Sequence, residues 1–150
     1  MNRLSFLIGV LLAVVFSSNA CGDNNALPEL PDKENFLVFL LAGQSNMAGR
    51  GEVTETDLEI QPQVLMLAKD GSWQYAVDPI HYDKKVAGAG LAKSFALELL
   101  KHKPDVTIGL VPAACGGSKI ALWEPGIYFD KTDSYPYDDA IARTRRAMQD

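Results

Sequence analysis

The stretch Gly43-Gln44-Ser45-Asn46-Met47 carries the side chain best suited to covalent chemistry in this chain. It follows residues 36–42 (FLVFLLA), an unbroken apolar run of the kind that forms a strand buried on both faces. In parallel sheets ligands meet the protein beyond the carboxyl ends of the strands, so Ser45 falls where a nucleophile is useful. Gly43 lets the chain turn sharply, and main-chain N–H groups after Ser45 can face an oxyanion. Attack of the Ser45 hydroxyl on a carbonyl carbon is the chemistry this placement offers. Spacing alone leaves a blander role open, since a serine after a strand more often caps a helix.

A serine nucleophile needs an adjacent general base, normally a histidine oriented by a carboxylate. The chain has two histidines, His81 and His102. His102 stands between Lys101 and Lys103 at a predicted helix end, where a solvated cation suits the negative pole of the helix. His81 lies in the loop Pro79-Ile80-His81-Tyr82-Asp83. Further along, Gly116-Gly117 reads either as a tight turn or as backbone that a substrate can approach closely. Cys115, beside them, is more often a buried small hydrophobe than a reactive thiol, although Cys115 with His81 defines a cysteine-based rival mechanism. Trp123 and Tyr128 can form an apolar platform or plain packing. No His/Cys/Asp cluster has metal-ligand spacing, so neither metal nor cofactor is expected.

Positioning these groups requires a scaffold, and the remaining periodicity supplies one. Residues 64–68 (VLMLA) and 106–111 (VTIGLV) are two more candidate buried strands, and the polar, acidic residues 52–63 between the first two strands read as loop. Residues 91–102 carry apolar side chains at Leu91, Phe95 and Leu99 and at Ala92, Ala96 and Leu100, a helical stripe ended by basic residues and Pro104. Helical spacing returns over 138–148, with Arg143, Arg145 and Arg146 as an expected solvated face. Strands alternating with helices imply an α/β domain with a mainly parallel sheet.

The ends of the chain read differently. Arg3 followed by the uncharged apolar residues 4–16, then Ser18 and Ala20, has the pattern of an export signal over 1–20, and the run is too short to span a bilayer. Cys21 directly after it fits lipidation of a bacterial lipoprotein, while Ser18-Asn19-Ala20 fits an ordinary signal peptidase; the protein is expected in the cell envelope or outside the cell by either route. Residues 21–34 read as a tether and 35–150 as one domain. Two cysteines exclude a disulfide scaffold. The net charge of −5, or −6 without Arg3, argues against a nucleic-acid partner, whose phosphates demand a basic surface.

Taken in order, these segments resemble a known family. Gly43-Gln44-Ser45-Asn46-Met47 resembles the nucleophile block of the SGNH-type carbohydrate esterases, within them the sialate O-acetylesterase and acetylxylan esterase branch. Gly88-Ala89-Gly90-Leu91-Ala92 resembles a block in which relatives often carry Gly-Pro-Gly, with Ala89 in place of the proline. Ile108-Gly109-Leu110-Val111-Pro112 and Gly116-Gly117-Ser118 resemble the family's second block, so the likeness covers about residues 36–125. The resemblance implies a three-layer, flavodoxin-like SGNH-hydrolase fold and removal of O-acetyl groups from an acetylated carbohydrate through an acyl-enzyme on Ser45. It implies that Gly117, with Gly116 beside it, donates main-chain N–H to the oxyanion. It also implies that Gln44, Asn46 and Arg50 hold the nucleophile loop or meet the sugar; a solvated Arg50 is the plainer alternative.

Members of that family carry the base in an Asp-x-x-His block near the C-terminus, preceded by a Gln-Gly-Glu block; residues 1–150 hold no Gln-Gly-Glu, and their one Asp-x-x-His string, Asp78-Pro79-Ile80-His81, stands in the mid-chain loop rather than after such a block. The expectation is therefore the front part of an esterase domain whose C-terminal part is missing. The rival is a non-catalytic, glycan-binding surface lipoprotein on the same fold.

Overall fold

The computed structural model describes residues 28–149. The expected export signal, Cys21 and the start of the tether lie outside the described residues. The element order is β1 (Phe36–Gly43), α1 (Ser45–Ala48), α2 (Glu55–Leu58), β2 (Val64–Leu67), β3 (Trp73–Tyr75), α3 (Leu91–His102), β4 (Thr107–Ala114) and α4 (Pro136–Ala147). Short 3₁₀ turns form at Lys33–Asn35 and Ile120–Leu122.

The sheet runs β1-β4-β2-β3. β4 is parallel to β1, in register from Phe36 opposite Thr107 to Gly43 opposite Ala114, and parallel to β2 on its other side. β3 closes the sheet antiparallel to β2, so the sheet is mixed. Strand alternation feeds two cores. Val64, Met66, Ile108 and Leu110 pack with Ala92, Ala96 and Leu100 of α3. Leu65, Leu67 and Val111 turn the other way, against Trp73 and Ala147 of α4. With apolar side chains buried on both faces, β2 and β4 are apolar runs rather than alternating ones. Gly109 makes room on the second face, where a Cβ would stand 2.7–2.8 Å from the rings of Trp73 and Phe36, which meet edge to face at 4.9 Å.

Several expectations change in detail. The last strand continues to Ala114, past Pro112. In a parallel ladder both backbone groups of one residue face the same neighbour, and those of Pro112 face the β2 side, where pairing has already ended; the absent N–H therefore costs no ladder bond. β3 was too short to show in the periodicity. Residues 52–63 hold the one-turn helix α2, where Asp57 accepts from the Thr54 N–H at 2.8 Å. On α3 the stripe at Ala92, Ala96 and Leu100 is buried, whereas Leu91 and Phe95 are exposed. Leu30, within the expected tether, packs against the second core.

Lys93 is the least expected core residue, only 6% exposed. Its ammonium donates to the carbonyls of Thr56, Asp57 and Glu59 at 3.1, 2.7 and 2.7 Å, capping α2 from α3. Lys93→Met keeps the apolar stem and strands three carbonyls, so it should lower the unfolding free energy by about 2–4 kcal/mol. Urea denaturation with an unchanged slope checks this.

Candidate active site

The parallel register aligns two loops. With Gly43 opposite Ala114, Ser45 and Gly116 each lie two residues beyond the paired ends of β1 and β4. The Cys115 N–H donates to the Gly43 carbonyl at 2.8 Å and carries the pairing one step further. Ser45 starts α1, whose single turn is closed by the Gln44 carbonyl accepting from Met47 and Ala48 at 3.0 and 2.9 Å. A Cβ on Gly43 would fall 2.8 Å from that of Met47, so the sharp entry to Ser45 depends on glycine. Ser45 is half-buried, and among the described residues its hydroxyl has no hydrogen-bond partner. The same holds for the main-chain N–H groups of Ser45 and Gly117. Two unpaired donors and an unpaired hydroxyl thus collect beyond the C-terminal ends of adjacent strands.

The nucleophile loop is held by backbone. Gly51 and Ala89 exchange two N–H···O bonds of 3.0 Å, and the Gly88 N–H donates to the Gly49 carbonyl at 3.3 Å. Ala89 uses an N–H that the family's proline would lack. A Cβ on Gly49 would strike the carbonyl oxygens of residues 88 and 89, and one on Gly88 the Gly51 carbonyl, so both positions require close backbone approach.

Beyond the end of β2, side chains replace a neighbouring strand along β4. Arg143 donates to the Pro112 carbonyl at 2.6 Å; His81 Nδ1 accepts from the Ala114 N–H at 3.4 Å; Asp83 Oδ2 accepts from the Gly116 N–H at 2.7 Å; Lys84 donates to the Gly116 carbonyl at 2.6 Å. Arg143 therefore leaves the expected solvated face, and it also lies 4.9 Å from the centre of the Tyr82 ring. Asp83 Oδ2 also pairs with Arg50 at 3.0 Å, and the Asp83 side chain is 2% exposed. Arg50, whose side chain is 28% exposed, thus ties the nucleophile loop to the exit of β4. Gln44 and Asn46 extend into solvent, and among the described residues their side chains make no hydrogen bond. Gly117 has φ +85°, the left-handed region that favours glycine.

Sequence reasoning singled out Ser45, Arg50, Gly116 and Gly117 but passed over Asp83 and Lys84. The loop that carries them is 32 or 33 residues from Gly116, and no local pattern announces the contact. Trp123 donates to Ser118 at 3.0 Å and so stays near the glycine pair, while Tyr128 instead pairs with Tyr135 and donates to Asp133 at 2.7 Å.

Neither histidine is paired with Ser45. His102 ends α3 with Nε2 3.8 Å from Glu98, at the sheet end where β4 begins. Because β4 is eight residues long, that end lies roughly 25 Å from Ser45. His81 is buried, with Nδ1 spent on Ala114, so its neutral form carries the proton on Nε2, which has no partner. Cys115 contacts Ser134 at 3.6 Å, and no Cys115–His81 bond forms.

Burial pulls the His81 imidazole down to about 4. The unfolded chain therefore takes up this proton first as pH falls below about 6.5, and stability declines from there to about pH 4. At ~1.4 kcal/mol per pH unit the loss is about 3 kcal/mol. His81→Asn, which can still accept from Ala114, should show a flatter profile between pH 7 and 4.5 in denaturant unfolding. Parallel profiles would show that native His81 protonates freely.

Residues 35–150 match the family described as carbohydrate esterase, sialic acid-specific acetylesterase. A probable carbohydrate esterase of Arabidopsis thaliana is 35% identical over 132 residues, covering 75% of this chain and 48% of the relative. The crystal structure of an Arabidopsis thaliana protein is 31% identical with a TM-score of 0.65, covering 77% of this chain and 52% of that one. The crystal structure of NanS, 22% identical with a TM-score of 0.54 over 76% of this chain and 49% of its own, shows likeness of fold alone. The chain spans about half the length of the relatives it matches. An α/β sheet with these glycine-lined loops at its carboxyl end, together with the match over residues 35–150, places the chain in the carbohydrate esterase family of sialic acid-specific acetylesterases.

Proposed function

We propose that the full-length protein is an exported serine esterase that removes O-acetyl groups from a carbohydrate, on a three-layer SGNH-type domain. The observation that supports this reading is that the Ser45 hydroxyl and two unpaired main-chain donors, the N–H groups of Ser45 and Gly117, all lie within a few residues of the paired ends of the adjacent strands β1 and β4. In this reading Ser45 Oγ attacks the acetyl carbonyl and gives up its proton to a base. The tetrahedral oxyanion is met by the two N–H groups, the sugar hydroxyl leaves with a proton, and water releases acetate from the acyl-serine. Gln44, Asn46 and Arg50 border the space where the sugar would sit. His81 is committed to the β4 backbone and His102 is remote, so the base comes from the half of the relatives' length outside the matched region. Acetylated sialic acid and acetylated xylan are both substrates of this class.

Incubating the full-length protein with an aryl acetate, quenching with acid and mapping peptides by mass spectrometry should find acetyl on Ser45. Acetate release with no acetyl-serine at any quench time would overturn the acyl-enzyme reading.

Export is part of the proposal, carried by Arg3, the apolar residues 4–16 and Cys21. Fractionation should place the protein in the envelope or medium, and fatty-acid labelling lost in Cys21→Ser would identify the lipoprotein route to membrane attachment. An uncleaved cytoplasmic product would refute it.

A further inference from the structure

We propose that Lys84 is a positioning residue for acyl transfer, holding and polarising the Gly116–Gly117 peptide so that the Gly117 N–H is aimed at the developing oxyanion. The inference rests on the Ser45 esterase reading. The Gly116 carbonyl and the Gly117 N–H belong to one planar trans peptide, so they point in opposite directions. Lys84 Nζ donates to that carbonyl at 2.6 Å. The Gly117 N–H therefore points away from Lys84, and among the described residues it has no partner.

On the other side of Gly116, its own N–H donates to the buried Asp83 carboxylate at 2.7 Å. Both peptide planes that flank the Gly116 Cα are thus fixed from the same loop. That restraint matters at two consecutive glycines, which otherwise have the widest backbone freedom in the chain. A preorganised donor is the one that lowers a barrier, because it need not reorient as charge develops.

The cation adds an electronic effect. A positive charge on the carbonyl end draws electron density from the amide nitrogen and strengthens its N–H as a donor, as hydrogen bonds in series polarise one another. Among the described residues Lys84 forms no ion pair with a carboxylate. Its ammonium is placed on this carbonyl, with no carboxylate within ion-pair distance among the described residues. Asp83, by contrast, is neutralised by Arg50 and acts as a structural anchor.

Lys84→Met in the full-length protein should lower kcat on an aryl acetate by about ten- to a hundredfold with KM changed less than about threefold, less than the loss of a whole oxyanion donor. Lys84→Arg, which keeps a charged donor, should recover most of the loss, and Lys84→Gln, a neutral donor, should fall between. Affinity for an aryl trifluoromethyl ketone, which forms a tetrahedral adduct on the serine, should drop in parallel with kcat/KM across the series. A merely structural tie would lower the melting temperature and leave kcat and adduct affinity of the folded fraction unchanged. If Lys84→Met does not fold, the Arg and Gln variants carry the same comparison. Unchanged kcat in folded Lys84 variants beside an inactive Ser45→Ala overturns the role of Lys84 alone, as does a loss confined to KM. Turnover that survives Ser45→Ala overturns the esterase reading and this inference with it.

Discussion

Ser45→Ala should reduce kcat of the full-length protein on an aryl acetate by at least about ten-thousandfold, since serine hydrolases that lose the nucleophile keep only the modest catalysis of the oxyanion hole and binding. The substitution removes one half-buried hydroxyl that bonds to nothing among the described residues. The unfolding free energy should accordingly shift by no more than about 0.5–1 kcal/mol. Steady-state turnover and thermal unfolding of the same preparation separate the two effects. Activity within about a hundredfold of the parent in material free of contaminating esterase would remove Ser45 from the mechanism and leave the hydroxyl as the first residue of a short helix.

Gly116→Ala is expected to damage both stability and catalysis, because its methyl group falls on the two side chains that hold the exit of β4. Its Cβ would collide with the Arg50 guanidinium and lie 2.7 Å from Asp83 Oδ2. Arg50 can move toward solvent, but the Asp83 side chain is 2% exposed and has no such route. Displacing the carboxylate strands a buried charge that had been satisfied by the Gly116 N–H and Arg50, which costs about 3–5 kcal/mol when such a pair is broken. The same displacement releases the loop that carries the Gly117 donor, so kcat should fall by about a hundredfold or more. Gly117→Ala is the internal control. The nearest atom to its added Cβ is Lys84 Nζ at 3.9 Å, leaving left-handed strain of about 1–2 kcal/mol as the main cost. Melting temperatures should therefore fall much further for Gly116→Ala than for Gly117→Ala. Equal shifts would mean that the space behind Gly116 is not as tightly filled as these contacts require.

By itself the sequence determined the parts of this protein whose causes are local. An unbroken apolar run followed by Gly43 makes a buried strand that ends in a turn, and this puts Ser45 at a strand terminus whatever lies around it. The residues of α3 were legible to the boundary, because an apolar stripe, a basic last turn and Pro104 act within one helix. Matching motifs in chain order likewise pointed to the family before any pairing was known. Tertiary structure alone decided what depends on distant segments meeting. β4 outlasts the strand expected from its apolar run because its proline faces a side where β2 has stopped, and only strand order reveals which side that is. Arg143 reads as part of a solvated face until the Pro112 carbonyl of β4 comes within its reach, and nothing in the local sequence marks Lys93 for the α2 carbonyls that it holds. Asp83 and Lys84 matter because their loop runs beside the unpaired edge of β4, where their side chains complete the hydrogen bonding that a strand would otherwise supply. Periodicity reports which face of an element is buried; it carries no information about which remote backbone groups lack a partner, and at this site those groups decide how the two glycines are held.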